Sequence, residues 1–423
     1  MIRKFSTFLV AMLWVISLFP TGTLSAAEHT ISDGASINIG DYATGDIFRV
    51  DDNASVTFSG TNTNIRIVCG SNVTLTIRDL SITNNYHLLD SPITFSGTGN
   101  TLLLEGVSTI DASSIPCPGI QVEGTATLTI NSTSDPAGSL YATGGGNAAG
   151  IGAGDGISSG LINISGGTVH ATGGENASGI GGGSMGSGNV SISGGTVHAT
   201  GGDEGAGIGG GSMGSGNINI SGGTVYATGG DWGSGIGCGI YAQYLTLAIN
   251  ISGGMVYANG GVSGSGIGGA ANHSEMEISI SGGTVYATGG EFGAGIGDGM
   301  GSPIGSINIS GGRILASGRN RGQDIGKNDW GNSRIPISIS GSAEVFLRND
   351  NYYDFLVSSP NHTHETIEAL DGGAVYGIPV PSGWTPEFGV FLPLNTLTFL
   401  ANGGVGSIAN ITDLNGRSVT IPA

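Results

Sequence analysis

A ring-bearing side chain recurs at the centre of a short phrase that repeats along the middle of the sequence. The clearest copies read Thr-Val-Tyr-Ala-Thr or Thr-Val-His-Ala-Thr. An aromatic ring offers an apolar face and a polar tip, and threonine hydroxyls donate and accept hydrogen bonds. Such a surface could bind sugar rings. We therefore predict a carbohydrate-binding site at Tyr141, His170, His198, Tyr226, Tyr257 and Tyr286, with Thr196, Thr200, Thr224 and Thr228 beside them.

One alternative accompanies this prediction. Rings and threonines on neighbouring strands also stabilise a sheet simply by pairing with one another. If sugars do bind, the central rings Tyr226 and Tyr257 are expected to matter most, because they lie in the middle of the row.

Acidic side chains follow the ring phrase in three successive copies, at Glu175, Asp203 and Asp231. Like charges on adjacent strands repel unless they are well solvated or share a cation. Carboxylate oxygens are ligands that calcium prefers. The sequence requires no cofactor, and calcium at these three residues is the one metal that it suggests.

Catalytic groups are scarce. Beyond Lys4 the only lysine is Lys327, and the later arginines Arg313, Arg319, Arg321 and Arg334 are spread over more than twenty residues. The pair His362 and His364 with Glu365 lies in a segment that we predict to be a linker. We therefore predict no catalytic residues and a protein that is not an enzyme. The alternative is a polysaccharide lyase or a glycoside hydrolase.

The elements that position these side chains follow from an internal repeat. The phrase Ile-Ser-Gly-Gly begins at Ile164, Ile192, Ile220, Ile251, Ile280 and Ile309, in steps of 28 to 31 residues. Each copy holds three short pieces of alternating apolar and polar residues, separated by glycines, which favours strands and turns. We call them the first face (around Ile218–Ile220), the second face (around Val225–Ala227, with the rings) and the third face (around Ile236).

Stacked copies of this unit predict an all-β fold, a single-stranded right-handed parallel β-helix with three sides. The third-face isoleucines extend the register upstream through Ile151, Ile120 and Ile93 to Ile65, which gives ten rungs from Ile65 to Ile325. The weaker copies at Ile37–Ile39 and Val345–Leu347 are expected to lie at the ends.

The glycine-rich repeats at 140–340 resemble the right-handed parallel β-helix domains of exported bacterial surface proteins, some of which are described as carbohydrate-binding. The resemblance implies a β-helix over residues 28–360 that acts as an adhesin or a rigid spacer. Residues 396–423 resemble the start of an internalin B-type repeat, through Ala401-Asn402-Gly403-Gly404 and Val419-Thr420-Ile421-Pro422. Residues 361–395 then form a linker or cap.

The first 27 residues are typical of a secretory signal peptide, with Arg3 and Lys4, an apolar run at Phe8–Leu18 and small residues at Ser25–Ala27. The sequence therefore predicts a secreted or cell-surface protein with no transmembrane span after the signal. A net charge of −19 disfavours nucleic acid as a partner. The expected partner is a polysaccharide or a glycan of a cell wall or host surface. Cys69, Cys117 and Cys238 fit no metal-binding spacing and are expected to be buried.

Overall fold

The computed structural model describes residues 26–347 except 86–89, 135, 243–246, 273–275, 301–304, 320–321 and 327–335. It also describes four short strands at 374–377, 398–399, 411–412 and 418–419. Within these residues the structure is almost entirely β, and the only helix is a 3-10 turn at Ile39–Asp41. No helix in the described part of the chain is long and apolar enough to cross a membrane.

The third face is a parallel sheet of twelve strands stacked in chain order. Most of its later strands contain only an isoleucine and a glycine, and each isoleucine pairs with the isoleucine of the next coil. The strands are Glu28–Ile31, Ile47–Val50, Arg66–Cys69, Ile93–Phe95, Ile120–Val122, Ile151–Gly152, Ile180–Gly181, Ile208–Gly209, Ile236–Gly237, Ile267–Gly268, Ile296–Gly297 and Ile325–Gly326.

The first and second faces join into one larger sheet, because four long strands run from one face onto the other. These strands are Ser55–Thr63, Thr74–Thr83, Met276–Thr288 and Ser306–Ser317. The other first-face strands are Ser36–Asn38, Asn100–Glu105, Thr127–Asn131, Leu161–Ile164, Gly188–Ile192, Gly216–Ile220, Leu247–Ile251 and Ile337–Ile339. The other second-face strands are Val107–Asp111, Ser139–Thr143, Thr168–Thr172, Thr196–Thr200, Thr224–Thr228, Met255–Asn259, Glu344–Leu347 and Ala374–Gly377.

The core is a set of apolar columns inside the coil. Ile220, Val225 and Ile236 represent the three faces of one coil, and each is fully or almost fully buried. Their partners in adjacent coils are again isoleucine or valine. Side chains of a strand alternate between two faces. The predicted β-solenoid and its inward and outward residues are therefore confirmed.

Glycine is required where the third face turns. Gly209 has a φ of +129°, in the region that L side chains rarely adopt, and a Cβ there would lie 2.0 Å from the carbonyl oxygen of Gly237. Adjacent coils therefore approach at this corner more closely than any side chain allows.

Two details of the register differ from the prediction. The partner of Ile93 is Ile67 and not the predicted Ile65. A shift of two residues along a strand leaves the same side chains facing the core, so the alternation of apolar and polar residues predicts both pairings equally well. Two further third-face strands precede the strand that contains Ile67. Phe48 in the second of them pairs with Ile67, and His29 in the first pairs with Phe48, each at an interval of only 19 residues. The coils near the N terminus are thus shorter than the glycine-rich coils.

The second-face sheet continues beyond the predicted C-terminal coil at Val345–Leu347. Glu344–Leu347 pairs in parallel with Ala374–Gly377, inside the segment predicted as a linker or cap. Residues 1–25 of the predicted signal peptide lie outside the described residues, as do His362, His364, Glu365 and most of the segment predicted to resemble an internalin B-type repeat. Of that last segment only Thr398–Phe399, Ile411–Thr412 and Ser418–Val419 are described, each in an antiparallel pairing.

The three cysteines are free and buried, as expected. Burial raises the pKa of the Cys117 thiol to about 11 and that of Cys238 to about 12. They behave as small core residues and not as reactive thiols.

Candidate functional site

The six predicted rings form one uninterrupted stack on the outside of the second face, which we call the ring ladder. Each ring position pairs in register with the next along the helix axis. From Tyr141 to Tyr286 the centroid separations are 4.4, 4.4, 4.6, 4.9 and 4.7 Å. The planes of neighbouring rings differ by only 4° to 10°. The strand spacing of the sheet, about 4.8 Å, sets this repeat.

This geometry changes how the rings could meet a ligand. Each inner ring is covered on both faces by its neighbours, so no sugar can lie flat on Tyr226 or Tyr257. Those two rings and both histidines are only half-exposed, whereas Tyr141, at one end, is 43% exposed. The expectation that the central rings provide the stacking surfaces is therefore replaced. Along most of the ladder, only ring edges and polar tips face outward.

Threonine columns border the ladder on both sides. Thr196 pairs with Thr224 on the half-buried side, and Thr200 pairs with Thr228 on the exposed side. Beyond them the columns change, because Met255 and Asn259 take the corresponding places in the next coil. There the hydroxyl of Tyr257 donates a hydrogen bond to the sulfur of Met255 at 3.1 Å. The ladder and its threonines together form a flat strip, which we call the ribbon.

The ring column has different neighbours at its two ends. After Tyr286 comes Leu315 and then Phe346, over which the guanidinium of Arg313 lies 5.2 Å from the ring centroid. Before Tyr141 come Thr109, Ser81 and Thr61, all with short hydroxyl side chains. Sequence reasoning missed these N-terminal members, because the upstream coils lack the glycine phrases. The spacing to Tyr141 was the only available signal.

The two histidines titrate abnormally. Burial, and then the charge of His198, lower the pKa of His170, and burial lowers the pKa of His198. Both imidazoles are therefore neutral at neutral pH and can stack without repulsion.

We expect the fold to lose stability as the pH falls below about 6.5, the ordinary histidine value. As the pH falls, the histidines of the unfolded chain take up protons first, because their pKa values are higher than those of the folded protein. The loss of stability ends once the imidazoles of the folded protein are also protonated. The double substitution His170→Tyr/His198→Tyr introduces the side chain found at the neighbouring positions Tyr141 and Tyr226. It should reduce the pH dependence of the melting temperature in this range. Thermal unfolding of both proteins between about pH 7 and pH 5 tests this. Parallel curves would contradict it.

The three acidic residues occupy one exposed corner after the second face, one per coil. The amide of Glu204 donates to the carbonyl of Glu175, and the amide of Trp232 donates to the carbonyl of Asp203, which fixes their alignment. All three carboxylates are exposed. Among the described residues no group of three or more His, Cys, Asp or Glu side chains could hold a metal ion. The structure therefore aligns these residues one per coil, and calcium at them stays a prediction.

Two acidic side chains near the C-terminal coils, Asp298 and Asp324, are buried. Asp324 accepts a hydrogen bond from the amide of Gly318 at 2.8 Å, and Asp298 is buried beside the third face. Arg313 is aligned with Glu344 on the next coil. Arg321 and Arg334 lie outside the described residues.

Comparison with known proteins identifies the coils themselves. Five segments match a family model described as a beta helix repeat, at residues 162–184, 190–212, 218–240, 249–271 and 278–300. Each segment runs from a first-face strand through the second face to just past the third-face strand, which is one coil. No curated protein and no solved structure matches the chain.

The described part of the chain is thus a right-handed parallel β-helix, and five of its coils, between residues 162 and 300, match the β-helix repeat model. This fold supports both enzymes and non-enzymes, so the function depends on the side chains that the fold displays.

Proposed function

We propose that this protein is a non-catalytic β-helix, displayed outside the cell, that binds polysaccharide along the ribbon and acts as an adhesin or rigid spacer. The observation that supports the proposal most is the ribbon itself. It places six rings on successive coils, with centroids 4.4 to 4.9 Å apart, and threonine hydroxyls beside most of them. A repeating surface suits a repeating polymer.

The ribbon can hold a polymer without any deep pocket. Tyrosine hydroxyls, imidazole nitrogens and exposed threonines such as Thr200 and Thr228 offer hydrogen bonds in rows parallel to the helix axis. Individual contacts of this kind are weak, since each replaces a bond to water. Affinity should therefore grow with the number of coils in contact, as it does for linked weak sites.

Rigidity supports the spacer role. Each coil is tied to the next by parallel strands on all three faces, with a continuous apolar core between them. The signal-like N-terminal segment agrees with export, and export with a glycan outside the cell as partner. The acidic chain favours neutral polymers over acidic ones, because like charges repel.

Co-sedimentation tests the binding proposal. The protein should pellet with at least one insoluble neutral polysaccharide, such as cellulose, xylan or chitin, in a panel that includes pectin as an acidic polymer. Heat-unfolded protein serves as the control for non-specific adsorption. Protein that stays in the supernatant with every polymer would leave only the spacer role.

The competing proposal is a polysaccharide lyase or glycoside hydrolase on the same scaffold. It predicts new reducing ends, or the absorbance of unsaturated products, when the protein is incubated with pectin, cellulose or xylan. We expect neither. Turnover on any of them would contradict a non-catalytic role.

A further inference from the structure

The two end rings of the ladder, Tyr141 and Tyr286, each have another ring of the ladder on only one face, and Tyr141 is the more exposed of the two. The inner face of Tyr141 lies against His170, with centroids 4.4 Å apart. Its other face is directed toward the preceding coil, where its register partner is Thr109. A threonine side chain is several ångströms shorter than a tyrosine, so it covers only the part of the ring nearest the sheet. This is consistent with the 43% exposure of Tyr141.

The opposite end of the ladder is closed. The register partner of Tyr286 on its outer side is Leu315, a half-buried aliphatic side chain that is longer than the threonine beside Tyr141 and can cover more of the ring. Tyr286 is itself only half-exposed. The ladder therefore presents an aromatic face to solvent at its N-terminal end.

The surface in front of Tyr141 continues as a short polar track. Thr109, Ser81 and Thr61 follow one another in register on the outside of the second face. Three strand steps of about 4.8 Å make this track roughly 14 Å long. The ring of Tyr141 therefore projects beyond the short hydroxyl side chains of this track, and we call the ring face and the track together the step.

A carboxylate stands beside the step. Asp111 is in register with Thr143 on one side and with Thr83 on the other, so it lies next to the column of Thr109 and Tyr141. One of its oxygens accepts a hydrogen bond from the amide of Ser113 at 2.9 Å, which orients the group. The opposite border of the step is apolar, with Val107 58% exposed.

We propose that this step binds one end of a sugar chain, with a hexose unit lying flat against the outer face of Tyr141. The inference rests on the proposed function and locates its stacking contact. A pyranose ring has an apolar face, which suits the tyrosine ring, and a rim of hydroxyls, which suits Thr109, Ser81 and Asp111. A planar aromatic ligand could stack on the ring of Tyr141 but would form no hydrogen bonds with the hydroxyl groups of the track.

The charge of the step selects among sugars. Asp111 is an acceptor that carries a negative charge, and the whole chain carries −19. Neutral or amino-substituted hexoses can donate hydrogen bonds to this carboxylate. Uronic acids would bring a second carboxylate next to it and are excluded by repulsion.

Titration with short oligosaccharides, followed by saturation-transfer NMR, tests the site. The probes are tetrasaccharides of β-linked glucose, N-acetylglucosamine and glucosamine, with tetragalacturonate as the acidic comparison. Binding of a neutral or amino probe should weaken roughly tenfold in Tyr141→Ala, since a stacking contact is worth about 1.4 kcal/mol. Tyr141→Phe keeps the ring and should bind within about threefold of the parent.

Two further variants separate the site from ladder stability. Thr109→Leu leaves every ring in place but covers Tyr141 as Leu315 covers Tyr286, and it should weaken binding like Tyr141→Ala. Trp232→Ala removes an exposed aromatic ring that lies outside the ribbon, leaves the ladder intact and should leave oligosaccharide binding unchanged. Equal losses in Trp232→Ala and Tyr141→Ala, or full binding in Thr109→Leu, would overturn the proposal.

The outcomes also distinguish this proposal from the proposed function. If the parent protein pellets with a polysaccharide but binds none of the tetrasaccharides, the step is not a site and ribbon binding stands. If neither polymer nor tetrasaccharide binds, both proposals fail.

Discussion

Replacing Ile208 with aspartate is expected to destabilise the β-helix by about 5 kcal/mol or more, from lost apolar contacts and an unpaired buried charge. Ile208 is fully buried and lies in the middle of the third-face column, between Ile180 and Ile236. A loss of this size is comparable to the whole stability of many domains. Chemical unfolding followed by circular dichroism measures it.

Ile208→Val is the matched control. It removes one methylene from the same place and should cost about 1 kcal/mol. If the aspartate variant unfolded at the same denaturant concentration as the valine variant, Ile208 would not face the core and the register of the third face would be wrong.

Replacing Gly209 with alanine is expected to cost about 3 kcal/mol, although the substitution adds a single methyl group. The added carbon would lie 2.0 Å from the carbonyl oxygen of Gly237 and 3.0 Å from the Cδ1 atom of Ile218. The φ of +129° at this position adds backbone strain for any L side chain. The strand can relieve the overlap only by moving away from the next coil.

Gly124→Ala provides the comparison for this second substitution. Gly124 is exposed, and the nearest atom to an added Cβ is the carbonyl oxygen of Ser158 at 3.6 Å. We expect its melting temperature to stay close to that of the parent protein, whereas that of Gly209→Ala falls clearly. Equal melting temperatures for the two variants would contradict the close approach of coils at this corner.

Much of the fold could be predicted because the repeat encodes it at fixed intervals. Ile180, Ile208 and Ile236 recur every 28 residues and stack as expected. The prediction failed where the interval changes, in the 19-residue coils around Phe48, and where two isoleucines of equal parity compete, at Ile65 and Ile67. The alternation within a strand determines which residues face the core, but it does not determine whether a residue pairs at one position or at the position two residues further along.

The candidate site was predicted less completely. The alignment of Tyr141 with His170 follows from the spacing of the phrase, but the orientation of the rings does not. Whether two aligned rings stack or splay depends on side-chain torsions, which sequence does not specify. That orientation decides which faces are open. It leaves Tyr141, whose register partner on the outer side is Thr109, as the ring with the most exposed face.

Affinity electrophoresis in gels containing soluble neutral polysaccharides tests most directly that the ribbon binds glycan. The comparison is between the parent protein and Thr200→Val/Thr228→Val, which removes two exposed hydroxyls at nearly constant volume and leaves every ring in place. Thr129→Val, on the first face, controls for loss of a surface hydroxyl elsewhere. We predict that the parent and Thr129→Val are retarded in the same gel and that the double variant moves faster. Equal mobility of all three proteins in every gel would contradict binding by the ribbon.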